Sequence, residues 1–93
     1  MTDGSDVVRR KVKVSGRVQG VFFRETLRRM ATEAGVTGWA RNTRDGLDAV
    51  LEGPRGEVDR LVQWCRQGPQ HAVVIHVQVE EEEPAGETEF RVR

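Results

Sequence analysis

Cysteine occurs once, at position 65, so neither an intrachain disulfide nor a cysteine-based metal cluster can form. That usage suits a reducing compartment. Neither sign of charge is in excess: 15 Lys and Arg face 15 Asp and Glu, for a formal net charge of zero. A general nucleic-acid binder usually carries a clear basic excess, so the balance argues against one while leaving room for a local basic site. No apolar run approaches the roughly 20 residues needed to cross a bilayer. The opening "MTDGSDVV" has no apolar stretch and no cleavage signal. The expectation is a cytoplasmic protein with neither a membrane nor a nucleic acid as partner.

What is present suits a folded domain. Apolar residues make up 37% of the chain and charged residues 32%, which is globular rather than disordered composition. Ninety-three residues make one domain whose core cannot be large. Residues 1–7 read as a flexible tail and 8–93 as the domain.

The elements follow from periodicity. "RRKVKVSG" alternates, with Val12 and Val14 on one face and Lys11 and Lys13 on the other, and reads as a strand ending at Gly16. Phe23, Leu27, Met30, Ala31 and Ala34 recur at helical spacing before Gly35, giving a helix over about 22–34. "VTGWARNT" is a second strand with Trp39 as its apolar mass, and Asp45-Gly46 signals a hairpin into "LDAVLEG". Gly53-Pro54 opens a second helix, striped by Val58, Leu61, Val62 and Cys65 and closed by Gly68-Pro69. "AVVIHVQVE" is a fourth strand. "TEFRVR" is a candidate fifth, with the acidic run Glu80–Glu83 between the two. The order βαββαβ is that of a ferredoxin-like α+β sandwich: an antiparallel sheet with two helices on one face. That fold hosts many functions.

"GRVQGVFFRE" joins the first strand to the first helix. Its glycines, Gly16 and Gly20, let backbone N–H groups converge. A helix start leaves up to four N–H groups unpaired and carries partial positive charge, so an anion is its natural partner. Arg24 falls in the first helical turn, where a cation is unfavourable unless an anion is bound there. Its planar fork matches two phosphate oxygens. Glycine-rich turns that bind nothing are also common, and no Gly-Lys-Ser/Thr follows as in a Walker loop. In this element order the first two strands run the same way and end at one edge of the sheet. Asn42 therefore falls near the turn, where its amide could orient a water. Alternatively, Asn42 only shapes the hairpin.

"VSGRVQGVFFRETLRRMA" and "GWARNTRDG", followed by "EGP", "GP" and the final "FRVR", resemble the acylphosphatase family from about Val12 to Arg93. The match is looser over Leu47–Gly53 and at "QHA" after Pro69. The resemblance implies the ferredoxin-like sandwich and hydrolysis of the carboxyl–phosphate bond of acyl phosphates. It also implies a phosphate loop of Gly16, Arg17, Val18, Gln19, Gly20, Val21 and Phe22, a catalytic arginine at Arg24 and a water-orienting asparagine at Asn42. The partners implied are a small acyl phosphate and inorganic phosphate as product. No cofactor or metal is expected, and the small size favours a monomer.

The chemistry implied needs little beyond those residues. The leaving group is a carboxylate whose conjugate acid has a pKa of roughly 4, so no general acid is required. Phosphoryl transfer has a loose transition state, in which position and charge matter most. Outside the two motifs, His76 in an alternating strand reads as a polar-face residue. His71 belongs to neither motif, Cys65 reads as core, the acidic run as a solvated edge, and Trp39 and Trp64 as packing residues. An RNA-recognition domain shares the element order but needs exposed aromatics on its central strands, which here are lacking. A domain that binds phosphate without turnover would not need Asn42.

Overall fold

The computed structural model describes residues 6–93. Of the expected tail, residues 1–5 lie outside the described residues, whereas Val7 already belongs to the first strand. The elements are β1 (Val7–Arg17), α1 (Phe23–Ala34), β2 (Thr37–Asn42), β3 (Gly46–Pro54), α2 (Arg55–Cys65), β4 (Val73–Glu82) and β5 (Phe90–Val92). This is the expected βαββαβ order with the fifth strand formed. The sheet order is β4-β1-β3-β2-β5.

The first four strands are antiparallel neighbours. β5 runs parallel to β2, so the sheet is mixed rather than purely antiparallel. The reason is topological. The chain leaves β4 at one edge, crosses the sheet, and adds β5 at the far edge, where its direction matches β2.

The alternation of β1 works as a half-buried strand does: Val8, Val12 and Val14 are buried between more exposed neighbours. β3, at the centre, is buried almost throughout. Both helices cover one face, α1 over β2 and β5, α2 over β1 and β3. In α1 the buried residues Phe23, Leu27 and Ala31 recur every four positions. Burying a Phe or Leu side chain fully stabilises by about 1.5–3 kcal/mol. Phe23 meets Trp64 of α2 edge to face, with ring centroids 5.1 Å apart, which ties the two helices together.

Three boundaries differ from expectation. Phe22 is the cap of α1 rather than its first residue. Pro54 likewise precedes α2, with ψ 136°, instead of starting it. The third concerns the acidic run, expected between strands: Glu80, Glu81 and Glu82 belong to β4, opposite Lys11, Arg10 and Arg9 of β1. Cross-strand pairing of opposite charges favours that extension. Glu82 meets Arg9 at 2.9 Å, and Glu81 lies 4.0 Å from Arg10. β4 is an edge strand, and on it Val73 and Ile75 are exposed.

Candidate active site

The end of β1 is held tightly. At Gly16 (φ 135°) an added Cβ would collide with the carbonyl oxygen of Val73 on β4, and the φ itself disfavours any L side chain. The Gly16 N–H donates to the carbonyl of Asp45 in the β2–β3 hairpin, at 3.1 Å. Gly20 has open space around it but a φ of 76°, so it is conformation rather than room that calls for glycine there. Between these residues Val18 points into the core, 1% exposed. Its side chain therefore cannot meet a ligand from outside.

Gln19 was expected in the phosphate loop, and its side chain does something else. Its amide nitrogen donates to the carbonyls of Thr43 and, at 3.4 Å, of Gly46. It braces the turn against the hairpin that carries Asn42. The hairpin closes on itself through Thr43 N–H to the Gly46 carbonyl, at 2.9 Å. The loop and Asn42 are thus one mechanical unit.

The helix start is bare. Phe22 caps α1 in the left-handed conformation, φ 63°, and gives no side-chain cap. Among the described residues, none of the backbone N–H groups of Gln19, Gly20, Val21 and Phe22 donates to an acceptor in the chain. The first-turn amides of α1 lack helical acceptors for the usual geometric reason. Among the described residues, this turn is a row of donors without an acceptor.

Two residues of this row, Gly20 and Phe22, border an open cleft of about 280 Å³, which Val18, Phe23, Arg24, Glu25 and Asn42 also line. Arg24 and Asn42, 18 residues apart in sequence, thus come together as expected. Arg24 Nη1 donates to the main-chain oxygen of Arg93 at 2.7 Å. Among the described residues no Asp or Glu side chain pairs with Arg24. The Glu25 carboxylate, also at the cleft, is turned to Arg28 at 2.7 Å. Arg93 in turn stacks its guanidinium over Trp39, 4.5 Å from the ring centroid. Sequence reasoning missed Arg93 as a partner of Arg24, and no local signal marks a contact 69 residues away. Arg17, the other charged residue of the loop, is the last residue of β1 and is exposed.

The residues set aside stay outside the cleft. Cys65 is fully buried, and burial pushes its thiol up to about 12, which removes it as a nucleophile. His71 and His76 are exposed. Among the described residues no three His, Cys, Asp or Glu side chains are grouped to hold a metal. Among them, too, no helix is long and apolar enough to cross a membrane.

A domain of this class, two helices on a five-stranded sheet, thus places amides without acceptors, an arginine and an asparagine at one cleft. Comparison with known proteins makes the class specific. The sequence model of the Acylphosphatase family matches residues 10–92. An acylphosphatase of Rubrobacter xylanophilus is 53% identical over 87 residues, covering 92% of this chain and 79% of that protein. One from Gloeobacter violaceus is 52% identical over 86 residues, covering 91% and 92%. The solved structure of an acylphosphatase from Coxiella burnetii superposes with a TM-score of 0.91 at 39% identity, over the whole of both chains. The chain belongs to the acylphosphatase family.

Proposed function

We propose that this protein hydrolyses the carboxyl–phosphate bond of acyl phosphates by direct attack of a water that Asn42 holds in line, with the phosphoryl group in the β1–α1 turn. The reaction itself follows from the family; the assignment of roles rests on the site. One observation carries it: Gly20 and Phe22, whose amides have no acceptor among the described residues, border one cleft together with Arg24 and Asn42.

The division of labour follows from chemistry. The amides and the Arg24 fork donate to the three non-bridging oxygens, where negative charge gathers in the transition state. Asn42, on the hairpin side, has both a carbonyl acceptor and an amide donor, so it can accept from the water and steer it. The bond to be broken releases a carboxylate, a good leaving group without protonation. No group in the cleft needs an unusual pKa, and no metal ion enters the scheme. A monomer acting in the cytoplasm on a diffusible acyl phosphate is the corresponding proposal for its setting.

The test is hydrolysis of benzoyl phosphate by purified protein in excess chelator. Turnover is expected to persist. Loss of turnover, restored by a divalent ion, would contradict the scheme.

A further inference from the structure

Phe22 is the residue of the cleft that the fold does not explain. It is 77% exposed, although its neighbour Phe23 is only 1% exposed. It is also left-handed, φ 63°, a conformation that is strained for a bulky side chain. A cap position in that conformation suits asparagine, which tolerates it and can bond the helix amides. Phenylalanine does neither, and here it caps nothing. An aromatic ring is held out in water, at the rim of the cleft that Arg24 and Asn42 share.

The size of the cleft suggests what the ring meets. A phosphoryl group with its attacking water has five heavy atoms. At about 30 Å³ each, the share of a water molecule, these occupy on the order of 150 Å³. The cleft holds about 280 Å³ and is open, so room remains for the group attached to the phosphate. The other apolar residues of the cleft, Val18 and Phe23, are each 1% exposed and offer a ligand almost no surface. Phe22 therefore offers the accessible apolar surface beside the phosphate position.

We propose that the Phe22 ring is the platform on which the acyl group of the substrate rests, so that the protein selects aromatic or extended apolar acyl phosphates over acetyl phosphate. This rests on the functional reading above. An aryl or alkyl chain against the ring removes apolar surface from water and adds stacking when it is aromatic. Acetyl presents one methyl group and gains little.

The experiment is the ratio of kcat/KM for benzoyl phosphate to that for acetyl phosphate, in the wild-type chain, Phe22→Asn and Phe22→Leu. Damage to the phosphate cradle lowers both substrates together and leaves the ratio alone. Phe22→Asn is expected to lower the ratio by about tenfold, and Phe22→Leu, which keeps an apolar surface, by less. An equal loss on both substrates in the two variants, however large, confines Phe22 to the loop and overturns the proposal. Should Phe22→Asn fail to fold, Phe22→Leu decides alone: a lowered ratio supports the platform and an unchanged one refutes it. A wild-type chain that turns over neither substrate removes the hydrolysis reading itself, and the platform with it.

Discussion

Two rows of backbone N–H groups, one near each end of β1, meet opposite fates in this molecule. At the first, the amides of Ala85, Gly86 and Glu87 converge on the carboxylate of Glu52, at 2.9, 2.8 and 3.3 Å. Arg9 joins them, donating to Glu52 at 2.9 Å and also to Glu82 and Glu87. At the second, the amides of residues 19–22 precede Arg24 and have no acceptor among the described residues, while Arg24 itself donates to the main-chain oxygen of Arg93. Arg9 and Gly16 mark the two ends and stand seven residues apart on β1, roughly 23 Å at strand rise.

The difference teaches how to read the second site. The Glu52 site is the protein's own example of an anion held by a backbone row and an arginine. Burial pushes the Glu52 carboxyl up. The Ala85 amide, the Arg9 guanidinium and the Gly86 and Glu87 amides together outweigh that and hold it below the ordinary carboxylate range. Those carboxylates hold the Arg9 guanidinium above its own ordinary value, with the bond to Glu82 the largest cause. Such a site fastens the β4–β5 connection to the sheet. Under the proposed function, the second row takes an external anion where the first takes Glu52.

The comparison breaks most sharply at the two arginines and their surroundings. Arg24→Ala is expected to lower kcat/KM by about a thousandfold, and to weaken inhibition by inorganic phosphate, with little change in melting temperature. Arg24→Lys should recover only a small part, because a point charge lacks the two-pronged fork. Steady-state kinetics beside a thermal melt checks both. At the other end the outcome inverts. Glu52→Ala should cost about 3 kcal/mol of stability, because it leaves three amides without their shared acceptor and removes one of the three carboxylates that pair with the partly buried Arg9. That is a fall of about 12–24 °C in Tm, while activity per folded molecule stays near that of the wild-type chain.

The Glu52 site also predicts an acid response. Its carboxyl is held below the ordinary value of 4.5, so its contribution is complete above that pH and lost as pH falls through the lower folded-state value. The urea midpoint of the wild-type chain should therefore drop more steeply below about pH 4.5 than that of Glu52→Gln. Equal slopes would show that the carboxylate is not stabilising.

A smaller effect separates binding from chemistry within the cleft. Asn42→Ala should slow turnover by about a hundredfold while leaving phosphate affinity nearly intact, since Asn42 acts on the water. Calorimetric titration with phosphate distinguishes it from Arg24→Ala. Loss of phosphate binding to the same degree in both variants would dissolve the division of labour, and full activity in Asn42→Ala would leave that residue as a hairpin former.

How much of this was legible follows the range of each interaction. The fold was, because each element writes its own period: valines alternate in β1, and the buried positions of α1 repeat every four residues. The β1–α1 turn was legible too, since glycines, a bare helix start and an arginine stand side by side. Asn42 could be brought to it through strand direction alone. The Glu52 site was not. Glu52, one of two acids in "LDAVLEG", looks like a solvent-facing residue, and its amide partners lie 33 to 35 residues away. Nor was the parallel placement of β5, which depends on where a long connection lands. Gln19 shows a subtler limit: its position in the loop was clear, but the direction of its side chain, toward the hairpin, is set by neighbours 24 and 27 residues on.

The most direct measurement follows the amides themselves. In a nitrogen-15 NMR titration with inorganic phosphate at constant ionic strength, the N–H signals of Gln19, Gly20, Val21 and Phe22 should shift together along one saturating curve. Its midpoint should match the inhibition constant for phosphate. The signals of Ala85, Gly86 and Glu87 should stay still, because Glu52 already occupies their donors. Signals at 19–22 that do not move at phosphate concentrations that inhibit turnover would contradict the account, as would equal movement in both rows.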